Sequence, residues 1–159
     1  DNDRYYRSLM EEKELTGVLI TEFRYVLLMR ADSPLAALET ITYDALRRYM
    51  EIAHADPSVP SLPIEDGKKE DAFEPSGRRI YVFERASQLS LLAENPDTFM
   101  WVSPLPKSML DRYGLVEREC AADRGVYKDV FIHRKDYTLT PLDNAFIECL
   151  IRVKRETIR

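Results

Sequence analysis

Polar and charged residues that could bind or act on a small molecule recur directly after the predicted strands. In a parallel α/β sheet, the carboxyl ends of the strands and the first amides of the following helices face the ligand-binding crevice. The helix dipole favours anions at such places. The pattern therefore predicts a site for a small polar or anionic molecule. The candidate positions are Arg30 with Asp32, His54 with Asp56, the run from Glu84 to Gln88, and the run from Trp101 to Pro104.

The strongest group of candidates stands at the start of one predicted helix. Arg85, Ser87 and Gln88 offer a cation, a hydroxyl and an amide there, and Trp101 could add an aromatic wall. An ordinary structural interpretation is open for each: Arg85 as an exposed charge, Ser87 as an N-cap and Trp101 as a core residue. The predicted binding residues are Arg30, His54, Arg85, Ser87, Gln88, Trp101 and Ser103.

Catalytic chemistry has little support in the sequence. His54 and Asp56 could form an acid–base pair, or His54 could be a hydrogen-bonded loop residue, and no third group is identifiable. The chain contains no GxSxG, GxGxxG or GxxxxGK[ST] motif and only 5 glycines. A metal centre would need distant carboxylates beside His54 and His133. We therefore expect no enzyme activity, no cofactor and no metal.

Charge and composition restrict the class further. The 159 residues carry 23 basic and 28 acidic side chains, a net charge of -5, which argues against a dedicated nucleic-acid surface. The sequence shows neither a signal peptide nor an apolar run of about 18 residues, so a cytoplasmic protein without membrane contact is expected. Cys120 and Cys149 are isolated, which disfavours a disulfide or zinc site, and Cys149 is expected in the core.

Apolar periodicity predicts alternating helices and strands, and hence a largely parallel sheet. A first helix is expected to end near Leu15, with Gly17 behind it, and the apolar run 26–29 predicts an inner strand of a parallel sheet. Pro-rich residues 56–77 predict a surface excursion. Ser33, Thr42 and Thr140 are the expected N-caps. Further strands are expected at 51–54, 79–84, 98–102 and 128–133, and helices at 86–94, after Pro104 and from Pro141, the last with an apolar face that must dock on something apolar.

Three stretches carry a family resemblance. RYVLLMRADSPLAALETITYDALRRY is similar to the buried strand, His-Pro-Leu-Ala turn and helix of LysR-type effector domains, with Ser33 in place of the His. FERASQLSLLAENPDTFMWVSPLPKSMLDRYGLVERE resembles the strand, helix, strand and proline turn of that family, without its usual glycine-rich motif. YKDVFIHRKDYTLTPLDNAFIECL resembles the return strand and closing helix.

The resemblance implies the C-terminal effector-binding domain of a LysR-type transcriptional regulator, truncated at its N-terminus. The implied fold is α/β, of the periplasmic-binding-protein-like type 2, with a complete second lobe at 23–127 and first-lobe elements and hinge at 1–22 and 128–159. A small molecule in the interlobe cleft would control transcription by shifting the lobes. DNA would be bound only through a winged helix-turn-helix outside this chain, and a homodimer or homotetramer is expected for the full protein.

Two other classes stay open from the sequence alone. A solute-binding protein of a transporter would share the fold but is expected to carry a secretion signal. A small α/β enzyme would use His54 and Asp56. The resemblance favours sensing without catalysis over both.

Overall fold

The computed structural model describes residues 2–54, 78–121 and 125–157. The predicted excursion at 56–77 lies outside these ranges. In chain order the elements are α1 (Asn2–Glu12), β1 (Leu15–Phe23), β2 (Val26–Arg30), α2 (Tyr43–Leu46), β3 (Met50–His54), β4 (Arg79–Val82), α3 (Arg85–Glu94), β5 (Thr98–Val102), α4 (Lys107–Tyr113), β6 (Leu115–Arg118), β7 (Tyr127–Arg134) and α5 (Pro141–Thr157).

The chain divides into two compact units. The first comprises Asp1–Phe23 and Val126–Arg159, and the second comprises Arg24–Gly125. Each has its own sheet: two strands in the first unit and five in the second, within the described residues.

In the first unit, β1 and β7 pair antiparallel, from Leu15 opposite Arg134 to Phe23 opposite Tyr127. Helix α1 ends at Glu12 rather than near Leu15, and the prediction that Gly17 follows the end of the helix is wrong, because Gly17 lies inside β1. The residue with the left-handed backbone that follows α1 is Glu14, at φ 51°. Gly17 instead permits close strand packing, since a Cβ there would lie 2.6 Å from Val130 Cγ1.

Helix α5 begins where the sequence predicts. Thr140 and Asp143 cap it reciprocally: the Thr140 amide donates to Asp143 Oδ2 at 2.8 Å, and the Asp143 amide donates to Thr140 Oγ1 at 3.2 Å. The prediction that its apolar face docks on other residues holds for Ile147, whereas the expectation that Cys149 lies in the core is wrong. Within this unit α5 packs on β1 and buries Ile147, while Cys149 is exposed. A two-stranded sheet, whose strands lie about 5 Å apart, is too narrow to cover the whole stripe. The exposed apolar residues of the helix include Leu142, Phe146 and Val153.

In the second unit the sheet order is β4-β3-β5-β2-β6. Strand β3 is parallel to β4 and β5, whereas β2 is antiparallel to β5 and β6. The prediction that 26–29 forms an inner strand is confirmed, but its parallel direction is wrong. An uninterrupted apolar run reports burial on both faces and carries no information on direction.

Apolar clusters cover both faces of this sheet. One contains Leu27, Met29, Leu35 and Phe99, with α2 packed on it through Leu46. The other contains Leu28, Ile52, Met100 and Val102, together with α3 and α4 residues. Because both faces of the sheet are buried, a binding site can be formed only at the ends of its strands.

Of the two N-caps predicted before β3, Thr42 is confirmed and Ser33 is wrong. Thr42 Oγ1 accepts from the Ala45 amide and caps α2, as predicted. Ser33 begins turns rather than a helix: its hydroxyl accepts from the Leu35 amide at 3.2 Å and donates to Pro96 O at 2.6 Å. The serine therefore ties this turn to the loop before β5.

Candidate functional site

The candidate site lies at the edge of the five-stranded sheet where β3, β4 and β5 end. These three strands run in the same direction, and His54, the last residue of β3, lies opposite Val82, the last residue of β4. Ser103, half-buried, follows the end of β5. Only two residues separate the end of β4 from the beginning of α3, so the first turn of α3 belongs to the same edge.

Gln88 joins the strand ends to the helix. Its side chain is fully buried, and its Nε2 donates to Val82 O at 2.7 Å. The same Nε2 lies 3.1 Å from His54 Nδ1. Since the amide nitrogen can only donate, His54 Nδ1 is the acceptor and the ring hydrogen is assigned to Nε2. Gln88 Oε1 is buried and has no hydrogen-bond partner in the described structure.

Glu84 occupies the amino terminus of α3. Its carboxylate accepts from the Ala86 amide at 2.8 Å, from the Ser87 amide at 2.6 Å and from Ser87 Oγ at 2.7 Å. The Ser87 hydroxyl and these two amides hold the pKa of Glu84 below its ordinary value. The N-cap is thus Glu84, and the alternative interpretation of Ser87 as the cap is wrong. Ser87 instead donates to the cap.

The remaining predicted residues at this edge are more open to solvent. Arg85 is exposed at the start of α3, and His54 is exposed at the end of β3. The structure therefore brings His54, Arg85, Ser87, Gln88 and Ser103 to one edge of the sheet. Asp56, the proposed partner of His54, lies outside the described residues.

Trp101 does not lie beside α3. It packs against the cluster around Leu27 and Phe99, with its ring centroid 6.4 Å from that of Tyr43. Helix α3 covers the opposite face through the cluster that contains Leu89. The idea that Trp101 forms an aromatic wall for the first turn of α3 is therefore wrong, because alternate residues of a strand point to opposite faces.

Arg30 also lies apart from the other candidates. It ends β2, which runs against β5, and it is opposite Leu115 at the beginning of β6. It consequently stands at the other edge of the sheet, where its guanidinium pairs with Asp32. The expectation that all carboxyl ends share one edge fails for β2, because it assumed a parallel sheet.

Within residues 2–54, 78–121 and 125–157, no group of three or more His, Cys, Asp or Glu side chains is arranged to hold a metal ion. His133, the second histidine, lies on β7 with its Nδ1 2.9 Å from Arg134 O. Over the same ranges, no helix has both the length and the apolar character needed to cross a bilayer.

Sequence reasoning overlooked two features that define this edge. In the sequence Glu84 stands out only as part of a polar run, since glutamate is not among the preferred N-cap residues. Burial of Gln88 could have been inferred from its place four residues after the cap, on the side of α3 that carries Leu89 and Leu92.

No protein-family model matches the chain, and no curated protein matches it in sequence. Solved structures do match it. The effector-binding domain of QuiR in complex with shikimate has a TM-score of 0.63 and 17% identity, over 93% of this chain and 69% of that one. The regulatory domain of MetR, a LysR family regulator from N. meningitidis, has a TM-score of 0.62 and 18% identity, over 91% and 66%.

A third example is the regulatory domain of CcmR from Synechocystis in complex with 2-PG, with a TM-score of 0.60 and 15% identity, over 94% of this chain and 71% of that one. The chain thus spans about two thirds of the length of these domains. The chain has the α/β, periplasmic-binding-protein-like type 2 fold of LysR-family effector-binding domains, as the sequence resemblance implied.

Proposed function

We propose that this chain is the effector-sensing part of a LysR-type transcriptional regulator and that it acts without catalysis. The observation that supports this most is the shared fold combined with a cluster of polar groups at one sheet edge. Solved proteins of this fold include regulatory domains whose structures contain shikimate or 2-PG. Fold alone does not define function, so the proposal depends on the site as well.

The proposed effector site is built on the ends of β3, β4 and β5 and on the first turn of α3. The groups that bind are those of His54, Arg85, Ser87, Gln88 and Ser103. All except Ser103, which directly follows β5, stand on regular elements packed against a buried cluster, and such elements hold binding groups in place better than loops do. Arg30 and Trp101 are omitted, since they lie at the other edge and on the other face.

DNA binding belongs, in this proposal, to another domain of the same protein. The chain carries a net charge of -5, whereas contact with phosphates requires a local excess of Lys and Arg. Effector binding here would shift the populations of the regulator's conformations, and the DNA-binding domain would respond. A homodimer or homotetramer in the cytoplasm is the proposed working form.

The test is a DNA footprint of the intact regulator, measured with and without each member of a panel of small polar metabolites. We expect one class of metabolite to change the footprint, and Gln88→Met to abolish that change. Arg30→Gln is the matched control, because it alters a polar residue at the opposite edge of the same sheet and is expected to leave the response intact.

A footprint that no metabolite alters would contradict the proposal. Binding of a metabolite by a secreted form that has no DNA-binding domain would instead indicate the solute-binding protein of a transporter, which shares the fold. Turnover of a metabolite that is lost in His54→Ala, in a folded protein, would indicate an enzyme.

A further inference from the structure

The amino terminus of α3 already holds an anion, which is supplied by the chain itself. Glu84 accepts from the Ala86 and Ser87 amides and from the Ser87 hydroxyl, at distances of 2.6 to 2.8 Å. These amide hydrogens are the groups that would otherwise bind the carboxylate or phosphate of a ligand. A second anion could bind there only by displacing Glu84 from three hydrogen bonds.

Local charge supports the same conclusion. Arg85, the adjacent residue, brings one positive charge, and Glu84 brings one negative charge. Both side chains are exposed, so solvent and the opposite charge weaken the field of each. The first turn of α3 therefore presents no net charge to a ligand.

An independent observation comes from Gln88. Its Nε2 is held by Val82 O and by His54 Nδ1, at the ends of β4 and β3. Because Oε1 is bonded to the same carbon, it lies at that same edge, and it is buried without a partner among the described residues. Rotating the amide by a half-turn does not help, since Oε1 would then face the carbonyl oxygen of Val82.

A buried acceptor without a partner has lost the hydrogen bonds that water would give it, so a donor at this point is favoured. This edge of the sheet therefore lacks a hydrogen-bond donor for Gln88 Oε1, whereas it already contains an anion, the Glu84 carboxylate.

We infer that the site selects a neutral ligand whose hydroxyl groups donate to Gln88 Oε1, and that Glu84 excludes anionic ligands from the first turn of α3. This inference rests on the proposed function for the location of the site. It chooses the polar over the anionic alternative that the sequence left open.

Nuclear magnetic resonance of the ¹⁵N-labelled chain tests both parts. Gln88 is the single glutamine of the sequence, so its side-chain amide gives one identifiable pair of signals. The probes are inorganic phosphate and three neutral polyols: glycerol, ribose and myo-inositol. We expect at least one polyol to shift the Gln88 side-chain signals, and phosphate to leave the Ala86 and Ser87 amides unchanged.

Glu84→Gly opens the first turn while keeping a residue that is tolerated at an N-cap. In this variant we expect phosphate to shift the Ala86 and Ser87 amides, with an affinity at least about tenfold above that of the unaltered chain. Glu94→Gln, which removes the same charge at the other end of α3, is the matched control and is expected to give no gain. Gln88→Met is expected to lose the polyol response.

Phosphate that shifts these amides in the unaltered chain would overturn the inference. So would a Glu84→Gly variant that gains no phosphate binding, or a Gln88 amide that none of the polyols affects. A footprint that responds to an anionic metabolite would refute the inference and leave the proposed function standing. A footprint with no response would refute the proposed function itself.

Discussion

Gln88 in α3 and His54 at the end of β3 are joined through a 3.1 Å contact between Nε2 and Nδ1. The residues are 34 positions apart, and the same Nε2 also donates to the carbonyl of Val82. One amide thus fixes a helix start to the ends of two strands, which is the arrangement that a preorganised binding site requires.

This amide is expected to contribute to stability as well as to binding. Gln88→Met keeps a similar length but removes the donor to Val82 O. It also removes the unpaired Oε1, so the expected loss in the free energy of unfolding is at the low end of the range, about 1 kcal/mol. Urea denaturation measures this, with exposed Ser90→Ala on the same helix as the control. Unchanged stability would show that the amide does not hold the strand ends together.

The ion pair between Arg79 on β4 and Glu51 on β3 is predicted to stabilise the folded protein. Arg79 Nη2 lies 2.9 Å from Glu51 Oε2, and the two side chains are only 13% and 9% exposed. Arg79→Ala would leave a buried carboxylate without this cation and is expected to cost about 3 kcal/mol.

The matched control for this pair is Lys107→Ala. This change breaks the ion pair with Asp111. The side chains of Lys107 and Asp111 are 84% and 64% exposed, so the expected loss in the free energy of unfolding is less than about 1 kcal/mol. Chemical denaturation measures both losses. Equal losses in the two variants would contradict the expectation that the buried ion pair contributes more than the exposed one.

Glu117 is expected to make the protein less stable as the pH rises. Burial raises the pKa of Glu117, more than the hydrogen bond from the Leu105 amide lowers it. A raised pKa means that the folded state binds the proton more tightly than the unfolded state. The stabilising contribution is therefore full below the ordinary value of 4.5 and is lost as the pH rises through the raised value.

Glu117→Gln removes this titration and retains an oxygen for the Leu105 amide. We expect the variant to gain stability relative to the parent as the pH rises from below 4.5 to neutrality. Exposed Glu148→Gln is the control for removal of one negative charge. A gain that is largest at acidic pH would have the wrong sign and would refute the assignment.

The two cysteines are expected to differ in reactivity. Cys149 is exposed on α5, whereas Cys120 is 4% exposed in the cluster around Leu27. A thiol reagent such as an aromatic disulfide should modify one thiol rapidly under native conditions and the second only on unfolding. Cys149→Ser should remove the rapid phase. A rapid phase that persists in that variant, or slow reaction of both thiols in the parent, would contradict the exposure of this helix face.

The sequence predicted element positions well and strand directions poorly. Local signals, such as Thr140 with Asp143 and Thr42, specify helix starts because the contacting groups are three residues apart. Direction depends on which strands pair across long separations. The run that forms β2 is apolar and buried, and its apolar pattern would be the same in a parallel or an antiparallel strand.

The same reason explains why only some of the candidate residues lie together. His54, Gln88 and Ser103 lie at or after the ends of parallel strands, so the rule about carboxyl ends applied to them. Arg30 follows an antiparallel strand, and Trp101 points to the other face. The occupation of the α3 terminus by Glu84 depends on side-chain geometry that composition and spacing do not encode.

The most direct test of the account is a ¹⁵N chemical-shift map of the chain with the metabolite that alters the DNA footprint. The proposed site predicts that the largest changes fall on His54, the side-chain amide of Gln88 and Ser103. Arg30 and Leu115 at the opposite sheet edge, and the indole of Trp101 on the other face, are expected to stay unchanged. Largest changes at Arg30 and Leu115, with none at Gln88, would contradict the account.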